Sequence, residues 1–246
     1  MSRFRFPRLC LALSALVLLG GLWVLWLSMG RPMPTQGLAC RQAETARFLP
    51  HGTTSASGPL RYENGVWFGK ADAWAVRRAG DSFTLMELER TAGLLWRSEA
   101  IMDITPSRWG EAIWAFPAGL DYYGVFQEGS LDSETWSEFT PVAVSDDPRV
   151  AQVEVTAVWV GDEERDAPAA ALAEWGVTAW LSPAGDGVWS GPSLSIRFYS
   201  PGAASRSSIL LLSCRGYDTD GELVAFCDYP LPSTAYSSSI WYAIPK

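Results

Sequence analysis

Histidine occurs once in the 246 residues, as His51; lysine occurs twice, as Lys70 and Lys246; asparagine occurs once, as Asn64. A serine or cysteine nucleophile needs a base held in place by the fold. The single histidine opens HGTTSASGP (51–59), a small polar run that reads as a linker. A serine–lysine pair wants a serine three residues before the lysine, and Trp67 and Ala243 occupy those places. Structural zinc wants four cysteine or histidine ligands. Only His51, Cys40, Cys214 and Cys227 lie beyond the first thirty residues, and the first two are remote in sequence from the others. No metal and no cofactor are expected, and a catalytic site is not expected either. Basic clusters are missing past residue 8 and the formal net charge is −8. Nucleic-acid binding, which requires phosphate-neutralising Lys and Arg, is therefore not expected.

Two glycine patterns fall short of nucleotide loops. Gly65 to Lys70 (GVWFGK) is one residue too short for a phosphate loop, and Ala71 stands where a magnesium-binding hydroxyl belongs. In Gly185-Asp186-Gly187 the third glycine, Gly191, comes one residue late. Both read as turns. Asp218, Asp220 and Glu222 surround Gly221, which breaks the spacing of a calcium hand. The 27 acids nominate no pair for carboxylate-only hydrolysis.

What is present begins at the amino terminus. Arg3, Arg5 and Arg8 precede an uncharged run from Leu9 to Met29. Those 21 residues make about 31 Å of helix, close to the ~30 Å hydrocarbon core of a bilayer. Trp23 and Trp26 sit near its far end, as interfacial aromatics do. A cleaved signal peptide has a shorter apolar run followed by a small-x-small site, and Ser28-Met29-Gly30 is a poor one. Gly37-Leu38-Ala39-Cys40 is a poor lipoprotein signal, with Gly37 in place of a large aliphatic. An uncleaved signal-anchor fits best, with residues 1–8 cytoplasmic by the positive-inside rule and the remainder outside the cell membrane. Past residue 30, 16 basic residues face 27 acids, so this outer part is expected to be repelled by an anionic membrane surface.

Residues 30–59 read as a stalk, with a short helix over Gly37–Leu49 stopped by Pro50 and showing Leu38, Gln42, Thr45 and Leu49 near one face. From Leu60 onward, short apolar runs alternate with turn signals every eight to twelve residues, an all-β texture. Asn64-Gly65 marks a tight hairpin. Residues 60–140 read as a β-meander, with strands at 73–78, 82–90, 94–101, 111–116 and 122–127 and a turn at Pro117-Ala118-Gly119. The polar stretch 128–147 marks a boundary. Residues 141–246 hold the strongest strand, 150–160, a short helix over 168–175, and strands at 177–181, 194–199, 209–217, 222–229 and 237–244. That density of strands predicts an immunoglobulin-like β-sandwich.

Cys214 and Cys227 flank the turn sequence Asp218-Thr219-Asp220-Gly221. A two-residue loop at Asp220-Gly221 sets them directly opposite each other, within disulfide range. A three-residue loop with a bulge at Gly221 shifts the pairing by one and sends them to opposite faces. The first register groups Leu210, Leu212, Cys214 and Gly216 with Leu223, Ala225, Cys227 and Tyr229 on one apolar face, so a disulfide is expected in an oxidising compartment. Cys40 is left over, either as a free thiol or for pairing between chains.

Eleven of the 13 tryptophans lie outside the apolar segment. Trp159 and Trp180 sit in apolar strand patterns and read as core. Trp109, Trp136 and Trp189 sit among Ser, Gly and Glu and are the candidate surface binders. The expected function is a membrane-anchored, non-enzymatic module that binds or scaffolds a protein partner. The alternative is a carbohydrate- or cell-wall-binding module using those three tryptophans.

Overall fold

The computed structural model describes residues 5–60, 71–105, 112–125, 134–160, 173–197 and 209–230. The chain is mostly β, with two sheets and one long apolar helix at the amino terminus. The Asn64-Gly65 hairpin, the 161–172 turn and helix start, and the 237–244 strand lie outside the described residues.

Helix α1 (Arg5–Ser28) is long and apolar enough over Cys10–Ser28 to cross a membrane, and none of that window is buried by the rest of the protein. It ends in a Schellman arrangement: the Gly30 amide donates to Leu27 O and the Arg31 amide to Trp26 O, with Gly30 at φ +78°. The Trp26 indole N–H donates to Pro32 O at 2.9 Å. Met33 and Trp96 then exchange two backbone hydrogen bonds of 2.7 Å, which tie the helix exit to the first sheet.

Helix α2 (Gln36–Ala46) is capped by Thr35, whose hydroxyl accepts from the Leu38 amide. It is shorter than the 37–49 expected. Arg47 closes it and Phe48 follows at φ +56°, so Pro50 plays no part in ending it. Its buried face is Ala39, Cys40, Ala43 and Glu44; Leu38 and Thr45 face outward.

The first sheet is an antiparallel meander, β1 (Thr53–Pro59), β2 (Ala73–Ala79), β3 (Ser82–Thr91) and β4 (Leu95–Ile104), in that order. Strand β1 is the run expected to be a linker. Its small residues have weak strand propensity, yet they allow close packing: a Cβ on Gly58 would come within 2.9 Å of the Trp74 indole. Pairing with β2 overrides propensity here.

The second sheet has eight strands: β5 (Ile113–Val125), β6 (Glu134–Ser145), β7 (Gln152–Val160), β8 (Val177–Gly185), β9 (Val188–Ser190), β10 (Leu194–Arg197), β11 (Ile209–Tyr217) and β12 (Leu223–Pro230). β6 pairs with β5 along one edge and with β10 and β9 along the other; β8, β7, β11 and β12 follow outward from β9. The sheet curls into a half-barrel that brings β5 against β11 and β12. A Cβ on Gly216 would lie 3.1 Å from Ile113 Cδ1, a tight contact that glycine relieves. The described strands do not confirm the immunoglobulin-like sandwich expected over residues 141–246; the later strands lie in one curled half-barrel. The reason is β6, which takes neighbours on both edges and joins the early strands to the later ones in one continuous sheet.

β6 also occupies much of the 128–147 stretch expected to be a loop. Its polar residues are buried and satisfied. Glu138 accepts from Ser193 Oγ at 2.8 Å, and Ser137 Oγ accepts from the Trp159 indole N–H. The 140/141 boundary therefore falls inside a strand, and sheet membership changes between Ile104 and Ile113. β5 runs straight through Pro117-Ala118-Gly119, where a turn was expected. Pro117 faces Pro141, and a bulge with Gly119 at φ +65° follows.

Both sheets share one core. Val76, Phe83, Leu85 and Ile104 of the first pack with Phe116, Ala118, Val142, Val144 and Val188 of the second. Two polar contacts reinforce the seam, Gly119 N–H to Glu87 Oε1 at 2.7 Å and Arg78 Nη1 to Asp186 Oδ2 at 2.8 Å, and Gly185 packs closely on the Ser55 backbone. A separate core inside the half-barrel holds Trp159, Trp189, Leu210, Cys214 and Cys227.

Candidate functional site

Of the three tryptophans expected at the surface, only the Trp189 side chain lies among the described residues. Trp109 lies outside the described residues. Trp136 is in strand β6, not a loop, paired with Tyr123 and Arg197; its side chain is outside the described set. Trp189 is in β9 and only 7% exposed, so it is core, and its indole N–H meets no acceptor among the described residues. The Gly and Ser neighbours that suggested a loop are the turn and strand end that deliver it inward.

The exposed aromatics lie elsewhere. β8 alternates Val177, Ala179 and Leu181 with Thr178, Trp180 and Ser182. Ala179 and Leu181 point into the half-barrel, and Trp180, expected in the core, points out and is 55% exposed. The ladder registers set Trp180 opposite Glu154, Glu154 opposite Arg215, and Arg215 opposite Phe226. This makes one row across β8, β7, β11 and β12, in the order aromatic, acid, base, aromatic. Phe226 is 59% exposed. Tyr217 stands beside the row: its ring centroid is 5.5 Å from that of Trp180, tilted by 40°, and its hydroxyl donates to Glu154 Oε2 at 2.9 Å. Partial burial, then the hydrogen bond to Glu154, push the Tyr217 phenol above its ordinary value. Thr156 and Thr178 share a hydroxyl hydrogen bond of 2.9 Å along the same face. Next-neighbour parity in β8 carried the signal for Trp180, since it shares a side with Thr178 and Ser182.

A second polar cluster lies between α2 and the first sheet. Glu44 is fully buried and ion-paired with buried Arg77, Nε to Oε1 at 2.8 Å. Arg77 also donates to Thr54 Oγ1 and to Gly52 O, and the Gly52 amide donates to Glu44 Oε1. His51 lies at the exposed edge of this cluster, just before β1, its Nδ1 4.0 Å from Glu44 Oε2. Every strong contact in this cluster is internal, and it docks α2. Cys40 is buried on the same helix face, and burial raises its thiol pKa. A cysteine so enclosed has no access to another chain.

Cys214 and Cys227 are directly opposite across β11 and β12, both buried, as the favoured register expected. No disulfide joins them in the structure. The expected two-residue turn is replaced by the longer one. Gly221, at φ +82°, donates to Asp218 O, and Asp218 N–H donates to Glu222 O, leaving three residues in the loop. The Asp218 carboxylate is taken up by the amides of Asp220 and Glu222, both at 2.9 Å. Among the described residues no group of three or more His, Cys, Asp or Glu is arranged to hold a metal ion. No protein-family model matches the chain, and comparison with curated proteins and with solved structures finds no match.

Proposed function

We propose that this protein is a membrane-anchored, extracytoplasmic module that binds a protein partner through the outer face of its half-barrel. The observation that carries the reading is the row Trp180, Glu154, Arg215, Phe226, with two large aromatics more than half exposed at its ends. Trp, Tyr and Arg are the residue types that dominate binding energy at protein interfaces, and exposed apolar surface rimmed by polar groups marks such interfaces. The partner surface that fits has apolar side chains over Trp180 and Phe226 and opposite charges over Glu154 and Arg215. The 40° tilt between Trp180 and Tyr217 argues against a flat sugar-stacking platform. Binding, not turnover, is the activity proposed.

The test places a photo-crosslinking amino acid at Trp180, at Phe226 and, as a control, at exposed Arg149 in the full chain in its native membrane. The expected result is a discrete protein adduct from positions 180 and 226, absent from 149 and suppressed by Arg215→Glu. Equal labelling from all three positions, or a shift of Trp fluorescence by wall polysaccharide with no protein adduct, overturns the reading.

A further inference from the structure

Where α1 ends, the molecule has an open groove of about 370 Å3 between the helix exit and α2. Met33, Leu38 and Ala46 supply its apolar lining; Arg31 and Arg41 stand at it with exposed side chains. Neither guanidinium has a hydrogen bond or ion pair among the described residues. The only acid between residues 30 and 49 is Glu44, which is buried against Arg77 on the opposite face of α2. The groove is therefore locally basic, although the outer part of the chain is acidic as a whole. Its position is fixed: Met33 lines the groove and is bonded through its backbone to Trp96. Two residues from Trp96, at the β3–β4 hairpin tip, Leu94 is 80% exposed.

We infer that this groove binds the headgroup of an anionic lipid from the membrane that α1 spans. Two unpaired guanidiniums match a phosphodiester, the apolar lining matches the glycerol and upper acyl chain, and Arg31 lies three residues past the last residue of the membrane helix. The inference rests on α1 being a membrane anchor and is independent of the partner-binding face. It reverses the expectation that the outer part is simply repelled by an anionic surface. The net charge acts over the whole domain, whereas the first contact with the bilayer is made by arginines.

The test uses the full chain in bilayers of equal phosphatidylglycerol and phosphatidylcholine, released for native mass spectrometry to count the retained lipids. The wild type is expected to retain phosphatidylglycerol over phosphatidylcholine by about tenfold, a preference that falls as salt is raised. Arg31→Gln/Arg41→Gln brings the ratio near one, while Arg149→Gln leaves it unchanged. Both groove arginines are exposed, so the double variant keeps the wild-type unfolding midpoint; the salt series on the wild type gives a readout that needs no variant. A wild-type ratio near one, or a preference that survives the double substitution or high salt, overturns the inference. Recovery with the bilayer after a high-salt wash reports the anchoring separately, so an embedded chain without lipid preference condemns the groove alone.

Discussion

Cys214 faces Cys227 because two irregularities in one hairpin cancel. The three-residue loop at Thr219–Gly221 sets Tyr217 opposite Leu223, the register that would separate the cysteines. A bulge between Gly216 and Tyr217, which leaves Val224 without a partner, shifts the ladder back so that Gly216 meets Ala225 and Cys214 meets Cys227. Burial of Leu210, Leu212, Ala225 and both cysteines inside the half-barrel favours the restored register.

In an oxidising environment these two thiols are expected to join. Directly opposed residues have Cα atoms about 4.5–5.5 Å apart, within disulfide geometry. Mild oxidation of the full chain should remove two hydrogens and block alkylation at Cys214 and Cys227. Closing so short a loop stabilises by about 3 kcal/mol, so reduction should lower the unfolding midpoint. Deleting Val224 should leave the crosslink in place, because without the bulged residue the three-residue loop's own register brings Cys214 opposite Cys227. A deletion that no longer crosslinks would show that the loop and the bulge do not together set the pairing.

Glu44→Ala should destabilise the chain by about 3–5 kcal/mol, because it leaves Arg77 buried and uncompensated. Replacing both partners with apolar residues, Glu44→Leu with Arg77→Met, should cost much less. Denaturant unfolding of the two variants distinguishes these outcomes. Cys40 reports the same event locally: burial raises its pKa and shields it, so a thiol reagent should leave it unmodified in the native protein and label it rapidly in Glu44→Ala.

Tyr217 should ionise above the ordinary tyrosine value near 10. Burial disfavours the phenolate, and Glu154 accepts a hydrogen bond that only the protonated phenol can donate. A folded-state pKa raised above the unfolded one contributes stability below the unfolded value, and that stability is lost as pH rises through the folded value. The difference in phenolate absorbance between wild type and Tyr217→Phe should rise later than that of free tyrosine, and the variant should lose less stability than wild type in strong alkali. A Tyr217 that titrates at or below the free value would contradict the Glu154 contact.

Gly185→Ala should damage the seam between the sheets. A Cβ there would lie 2.0 Å from Ser55 O, a backbone atom that cannot swing aside. A cost of about 1–3 kcal/mol is expected from forced overpacking. By contrast Gly221→Ala meets open space, and its cost should come only from the positive φ. Thermal unfolding of the two variants checks the order.

Much of this architecture was legible. The apolar helix, strands β2 to β4 and the 150–160 strand all follow from periodicity. That Cys214 lies opposite Cys227 was legible too, because the apolar face of β11 and β12 is a two-sided constraint, although the turn that was expected to set it was not the one found. What escaped was of one kind: segments whose residues do not look like their surroundings. TTSASGP is a strand because it pairs with β2 along its length, where a Cβ on Gly58 would crowd the Trp74 indole. ETWSEFTPVAVS is a central strand because Ser137 and Glu138 find partners in Trp159 and Ser193, and those partners are distant in sequence. The candidate face was half legible. Phe226 sits on the side of β12 opposite the cysteines by parity alone, whereas Trp180 was assigned by its hydrophobicity against its own alternation with Thr178 and Ser182.

The dependence of β6 on late neighbours has a consequence for how the chain is made. The first sheet pairs each strand with the next in sequence, so all its pairings are available once Ile104 has been synthesised. β6 then pairs at once with β5, but its other edge waits about fifty residues for β9 and β10. During that interval a buried-type strand has open backbone groups, the state in which strands pair with the wrong chain. Slow-folding variants of this protein should therefore fail by aggregating through β6, with the first sheet already folded.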